Sequence, residues 1–285
     1  MSNSAVNVQS APDWIEANRS DFSPPVCNKC MFEGQLFAFF VGGPNQRMDF
    51  HLEVGEELFY QVEGDMTLKV IEKNNKLRDI PIKQGEIFLL PGRVQHCPQR
   101  PANTVGCVIE RARNLEELDC LRYYDEGIKN VLFERWFHLN DVVKDLPPIM
   151  REFREKQAET LRQVQDPPAR AFQPNFDVHV SEPILLSSFI DEHLEEINTK
   201  SPYQLYGPPV NRSLVLLYGQ GQHKVSTTEQ RDMVIMALRG EVNLKATNDN
   251  QSHNLQSFHM AHLKPNTSCD LNIPSGGVCI TVQMP

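Results

Sequence analysis

The segment HLEVGEE places His51 and Glu57 six residues apart, both residue types that can bind a metal. On one straight strand they would share a face but sit roughly 20 Å apart, too far for a common ion. Gly55 offers a turn between them that would fold the second strand back on the first and bring Glu57 inward beside His51. His96, at the end of LLPGRVQH, is a third ligand from a later strand. Two neutral imidazoles and one carboxylate make the facial triad of non-haem Fe(II) oxygenases, with positions left open for substrate and O2. Any one of the three alone reads as a hydrogen-bonded core histidine or a solvated glutamate. Their joint occurrence, each at a strand edge, points to a metal.

Arginines flank this set. Arg47 precedes His51 by four residues and Arg100 follows His96 by four. In an extended chain such positions share a face, so both guanidiniums point into the interior that holds the ligands. A buried charge without a partner costs several kcal/mol, on the order of 3–5. Two inward arginines therefore call for an anion, and the guanidinium fork suits a carboxylate. Glu110, on the next strand, is placed to balance one arginine and to accept a hydrogen bond from a substrate donor. Spacing alone also admits surface salt bridges for Arg47, Arg100 and Glu110.

The elements that must position these residues are mostly strands. LFAFFVG, ELFYQVEG, MTLKVIE, DIPI, EIFLLPG and VGCVIER are short, rich in β-branched and aromatic residues, and punctuated by Gly, Asn and Pro. They predict a sandwich or barrel over residues 35–111. Helices are predicted at 11–22, at 114–124 from the spacing of Leu115, Leu118 and Leu121, at 140–165, and at 187–198. Prolines from Pro167 to Pro183 mark a connection, after which SLVLLYG, DMVIMALRG, EVNLKAT, FHMAHLK and VCITVQM form a second β region. Gly64 and Gly240 lie in matching strand–Gly–strand contexts, which suggests an internal duplication. The expected organisation is mainly β with accessory helices: a catalytic barrel at 1–165, a linker at 166–181 and a second barrel at 182–285.

Composition narrows the function classes. The 285 residues carry 28 Lys and Arg against 37 Asp and Glu, a formal net charge of −9, which argues against nucleic acid as a partner. Nothing approaches the ~18 apolar residues that a membrane span needs, and the N-terminus has no secretory pattern, so a cytosolic protein is expected; with two barrels in one chain it is expected as a monomer. Seven cysteines at irregular spacings read as reduced thiols. Cys27 and Cys30 form a lone CxxC after Pro24-Pro25 without the two further ligands that zinc requires, and are expected as incidental loop thiols. Cys97 should point away from the metal by strand alternation.

These segments resemble the cupin superfamily, whose first motif has the form G-x5-H-x-H-x3/4-E-x6-G. His51, Glu57 and Gly64 take its His, Glu and final Gly, while Glu53 stands in the slot of the second His. The second motif, G-x5-P-x-G-x2-H-x3-N, is met by Gly85, Pro91 and His96, with Arg93 in place of its second Gly and Arg100 in place of its Asn. The runs FFVGGPNQRMDFH, EELFYQVEGDM, QGEIFLLP, HCPQRPANTVG and LRYY are similar to the 3-hydroxyanthranilate 3,4-dioxygenases, densely over 35–125 and more loosely beyond. The resemblance implies two cupin (double-stranded β-helix, jelly-roll) barrels in one chain and Fe(II) on His51, Glu57 and His96. It implies an aromatic acid received by Arg47, Arg100 and Glu110, with Arg47 near the O2 side. It also implies ring opening by O2 to 2-amino-3-carboxymuconate semialdehyde, the precursor of quinolinate in the kynurenine route of tryptophan catabolism to NAD. A second iron on a paired CxxC, as in bacterial relatives, is not carried over.

Laying the second β region on the first puts Thr227 opposite His51, Met233 opposite Glu57, and Ser268 or Asp270 opposite His96, so the second barrel is expected to hold no metal. Other functions compete on the same fold. A sugar-phosphate isomerase would more naturally keep three histidines where Glu53 now stands, and a non-catalytic bicupin would not need ligands intact in one half and erased in the other.

Overall fold

The alternation of apolar and polar residues in the β segments is met by burial that alternates strand by strand: Leu36–Gly42 buries Leu36, Ala38, Phe40 and Gly42 and half-exposes the residues between. In the computed structural model, which describes residues 4–24, 27–156, 163–164, 166–247 and 251–285, such strands build two compact units. One contains residues 21–29 and 39–185, the other residues 1–20, 30–38 and 186–285.

In the first unit, two sheets enclose the core. One sheet includes, in order, Ile184–Leu185, Glu86–Leu90, Glu57–Glu63, Val105–Arg111 and residues 39–42 of the strand Leu36–Gly42. The other runs Val131–Phe137, Asp119–Tyr124, Phe50–Leu52, Gln95–Arg100, Met66–Glu72, Lys76–Ile82. Hydrogen-bonded neighbours are mostly not consecutive in sequence, the mark of a jelly roll. Phe59, Leu68, Val70, Phe88, Leu90 and Val108 pack between the sheets. The interior is thus apolar at one end and carries the ionisable residues at the other.

The second unit repeats the scheme, with Met233–Arg239 between His259–Leu263 and Val278–Gln283 in one sheet and Val242–Ala246 beside Ser268–Ile273 in the other. Its interior is filled by Val225, Met233, Ile235, Leu244, Leu263 and Leu271. Met233, at the position aligned with Glu57, is one of these packing residues.

Several sequence expectations change. The run 114–124 is not a helix: Asp119–Tyr124 is a strand paired antiparallel with Phe50–Leu52 on one side and Val131–Phe137 on the other. Its leucines mimic helical spacing, but Leu115 is 85% exposed in the preceding turn, and Leu121 lies directly across from His51. Gly55 does not make a hairpin, because Phe50–Leu52 and Glu57–Glu63 enter different sheets. Glu57 consequently meets His51 across the barrel interior. Helices form at Ala11–Ala17 with a 3-10 turn at Arg19–Phe22, at Val142–Lys156, and at Leu186–Thr199. Of the 140–165 helix, residues 157–162 and 165 lie outside the described residues, and Gln163–Val164 pairs parallel with Phe133 and Glu134.

The compact units also cut across the sequential division. Val6–Ser10 adds an antiparallel strand to His259–Leu263, so the N-terminal segment belongs with the C-terminal barrel. Residues expected as a connection pack on the first barrel instead: Val180 accepts a hydrogen bond from Arg78 at 2.8 Å, and Ile184–Leu185 pairs with Glu86–Ile87. Cys30 lies in strand Asn28–Phe32 rather than in a loop, and Pro25 is outside the described residues. No described helix is long and apolar enough to cross a membrane.

Candidate metal centre and active-site cavity

His51 and His96 are direct cross-strand partners, which brings their rings to 5.3 Å between centroids. Glu57 begins its strand on the facing sheet, opposite Leu90. Together they make a buried group whose ligand atoms all lie within 4.8 Å of one another. The loop before His96 is shaped for this approach. A Cβ on Gly92 would stand 2.3 Å from the Val54 carbonyl oxygen, so only glycine lets the two chains meet there. Arg93, at the motif's glycine position, adopts φ 63° and donates its N–H to Glu53 O at 2.8 Å.

The protonation of these rings is fixed by their second nitrogens. His96 Nδ1 lies 3.0 Å from Val94 O and must donate, which leaves the lone pair on Nε2. That Nε2 faces Glu57 Oε1 at 2.9 Å, yet Oε1 has no hydrogen-bond partner. With both groups deprotonated two acceptors face each other, and a shared cation satisfies them. Without a metal that cation is a proton, since burial opposes charge on His96 but Glu57 raises its pKa. Asp119 Oδ2 sits 2.7 Å from His51 Nε2, so His51 donates there and keeps its other nitrogen free. Burial opposes charge on Glu57, but His96 and His51 hold its carboxylate well below the usual range. Two imidazoles and a carboxylate, dry and oriented by outer partners, fit a divalent transition metal.

Above this group opens a cavity of about 400 Å³, lined by Arg47, Arg100, Glu110 and apolar side chains such as Phe39, Phe59 and Val108, with Leu146, Pro147 and Met150 from helix Val142–Lys156. All the expected site residues line this cavity, but their pairings differ from expectation. Arg47 is not a free cation: it is in a salt bridge with the buried Asp49, with Nε 3.2 Å from Oδ1. Arg100 is 3% exposed, has no carboxylate ion-paired to it among the described residues, and its Nε makes no hydrogen bond. Burial and the nearby Arg47 charge bring its pKa down to about 10. Glu110 does not lean on either arginine but on Arg113, with Nη1 3.3 Å from Oε2. Burial, then the Glu57 and Asp119 charges, push Glu110 up to about 7 against the pull of Arg113.

Arg113 and Asp119 carry no motif signal in the sequence: Arg113 directly precedes the run 114–124 that predicts a helix, and Asp119 lies in its middle. Glu53 stood out only as a departure from the motif. It is 3% exposed, lies 2.6 Å from Arg113 Nη2, and burial favours its neutral form. Cys97 does face away, into a cluster with Phe50 and Ile71.

The family model described as 3-hydroxyanthranilic acid dioxygenase matches residues 1–154. The chain is also 43% identical over 288 residues to the 3-hydroxyanthranilate 3,4-dioxygenase of Caenorhabditis elegans, covering 99% of both chains. It belongs to the 3-hydroxyanthranilate 3,4-dioxygenase family. The human family member is 47% identical over 212 residues, 73% of either chain. Among solved structures, the salicylate 1,2-dioxygenase of Pseudaminobacter salicylatoxidans superposes with a TM-score of 0.58 at 11% identity, covering 98% of this chain and 84% of that one. At that identity the likeness speaks for the two-barrel fold alone. In this dioxygenase chain the candidate metal clusters found among the described residues, His51–Glu57–His96 and Glu53–Glu57–Glu110, both lie in the first unit.

Proposed function

We propose that the chain is an Fe(II)-dependent extradiol dioxygenase that opens the ring of 3-hydroxyanthranilate with O2 to give 2-amino-3-carboxymuconate semialdehyde, which closes without a catalyst to quinolinate. The observation that carries this reading is a metal-type triad at the base of a cavity that also holds a buried, uncompensated guanidinium. His51, Glu57 and His96 would hold the iron. Fe(II), when bound, supplies the redox and Lewis-acid chemistry that lets an electron-rich ring react with O2.

The rest falls to side chains. Arg100 takes the substrate carboxylate, because it is the cavity cation with no carboxylate of its own. That contact fixes the ring so that its adjacent hydroxyl and amino groups face the triad. Arg47 and Asp49 form a net-neutral pair, so Arg47 contributes an uncommitted Nη1 donor at the O2 side rather than net charge. Glu110, raised to about 7, accepts the proton that the 3-hydroxyl or 2-amino group gives up on binding. Phe39, Phe59, Val108 and Leu146 exclude water from the opened ring.

The first barrel is assigned the chemistry, and the second a metal-free role in a cytosolic monomer. The test is anaerobic loading with Fe(II), addition of 3-hydroxyanthranilate, admission of air and detection of the semialdehyde absorbance. Absence of turnover by the iron-loaded chain would overturn the assignment.

A further inference from the structure

We propose that Arg113 is a positioning residue that holds the ligand His51, through Asp119, and the acid Glu110 in one rigid frame. This rests on the metal site proposed above and goes beyond it, since Arg113 touches neither the triad nor the open cavity.

The guanidinium is held at each of its three nitrogens. Arginine carries five N–H donors in a fixed plane. Here Nε donates to Asp119 Oδ1 at 3.0 Å, and Nη2 lies 2.9 Å from Asp119 Oδ2 and 2.6 Å from Glu53 Oε2. Nη1 donates to Arg111 O at 3.0 Å and faces Glu110 Oε2 at 3.3 Å. The side chain is 4% exposed. Each of the three guanidinium nitrogens thus donates a hydrogen bond, to Asp119 or to Arg111 O, and ion pairs to Glu53 and Glu110 tie three carboxyl groups from three segments to one group.

Asp119 links that plane to the metal site. Its Oδ2 takes Arg113 at 2.9 Å and His51 Nε2 at 2.7 Å at the same time. Register explains how: with Leu121 opposite His51, Asp119 is its diagonal neighbour on the same face of the sheet. Rotation of the Asp119 carboxylate would turn the His51 ring, and the bidentate grip of Arg113 prevents that rotation. On the other side the same guanidinium anchors Glu110, so the ligand and the proton acceptor are referenced to one group. A lysine here keeps the charge but cannot span three carboxyl groups in a plane.

The experiment uses the full chain, stripped of metal and titrated with Co(II) against a competing chelator, with the visible bands of bound Co(II) as a signature of ligand geometry. Arg113→Lys is expected to weaken Co(II) binding about 10–100-fold, the usual effect of losing an outer partner of a ligand, and to shift the bands. Asp119→Asn should reproduce the loss, and the double variant should lose no more than either single one. In the Glu110→Gln background the Arg113→Lys loss should persist in full. At saturating iron, Arg113→Lys should lower kcat, and its effect should be smaller in the Glu110→Gln background, where only the path through Asp119 and His51 remains. Unchanged Co(II) affinity and bands in folded Arg113→Lys, or losses that add with Asp119→Asn, would overturn the proposal. If Arg113→Lys does not fold, wild-type affinity in Asp119→Asn overturns it equally. His51→Ala separates the two levels: retained Co(II) binding there would refute the metal site itself rather than the role of Arg113.

Discussion

Replacing Arg100 by methionine should move activity and stability in opposite directions. The side chain is 3% exposed with no carboxylate ion-paired to it among the described residues, and its pKa is brought down to about 10 from the ordinary arginine value of ~12.5. A cation with a lowered folded pKa is disfavoured in the folded chain, and that penalty is fully present below pH 10, hence at neutrality. At ~1.4 kcal/mol per pKa unit the shift corresponds to about 3 kcal/mol, an upper bound on what methionine, similar in length and apolar, can recover. Catalysis loses more. A substrate carboxylate left buried without its partner costs about 3–5 kcal/mol, which is two to four decades in kcat/KM. The assays are steady-state kinetics of the iron-loaded variant, its metal content, and thermal unfolding of the metal-free chain. The expected result is kcat/KM down at least about a hundredfold, mostly through KM, with iron retained and the melting temperature unchanged or raised. A lower melting temperature with normal KM would show that Arg100 is a structural ion-pair member and would refute the reasoning.

His51→Ala should abolish stoichiometric iron binding while the chain still folds, as read by metal analysis and circular dichroism. Arg93→Gly should raise the denaturation midpoint, since an L residue at φ 63° costs about 1–2 kcal/mol and glycine gives back part of that. In the second unit, burial opposes charge on Asp232, yet a 2.8 Å contact with His262 Nε2 and the backbone N–H groups of Gln35 and Leu36 hold its carboxyl low. Its stabilisation is present above the ordinary Asp value of ~3.9 and is lost as pH falls through the lower folded value, so Asp232→Asn should cost about 1–3 kcal/mol at pH 7 and less near pH 3, measured by urea unfolding.

Much of the candidate site was legible because the residues proposed as ligands sit in strands whose pattern is unambiguous. His51, Glu57 and His96 could be grouped from motif spacing, and Arg100 could be placed inward from the period of two along Gln95–Arg100. What misled was local spacing that suits two structures. Leu115, Leu118 and Leu121 fit a helix face, yet the sheet gains more by taking Leu121 opposite His51, and only that pairing brings Asp119 to the ligand. Asp49 was missed for another reason: nothing in spacing shows that an arginine two residues away will fold back on its own neighbour. The partition of the chain was equally opaque. The pairing of Val6–Ser10 with His259–Leu263 joins segments some 250 residues apart, and no local signal reports such a contact.

The charge count of the interior gives these placements a common logic. The net charge of −9 belongs to the whole chain, but the buried site sets five carboxyl groups (Asp49, Glu53, Glu57, Glu110, Asp119) against three guanidiniums (Arg47, Arg100, Arg113). Burial favours neutral Glu53, so with Glu110 ionised and both imidazoles neutral, as metal ligation requires, the residues alone hold one more negative than positive charge. A divalent ion on the triad turns that excess to a single positive charge, which matches an aromatic monocarboxylate. The metal should then set substrate affinity as well as reactivity. Calorimetric titration of 3-hydroxyanthranilate under anaerobic conditions should show weak binding to the metal-free chain and binding at least about tenfold tighter once Co(II) is loaded, since roughly 1.4 kcal/mol of favourable interaction suffices for that ratio. Arg100→Met in the Co(II)-loaded chain should lose most of the gain. Equal affinity with and without metal would mean that Arg100 alone governs capture of the acid and that the carboxylates around Arg113 do not act on the ligand.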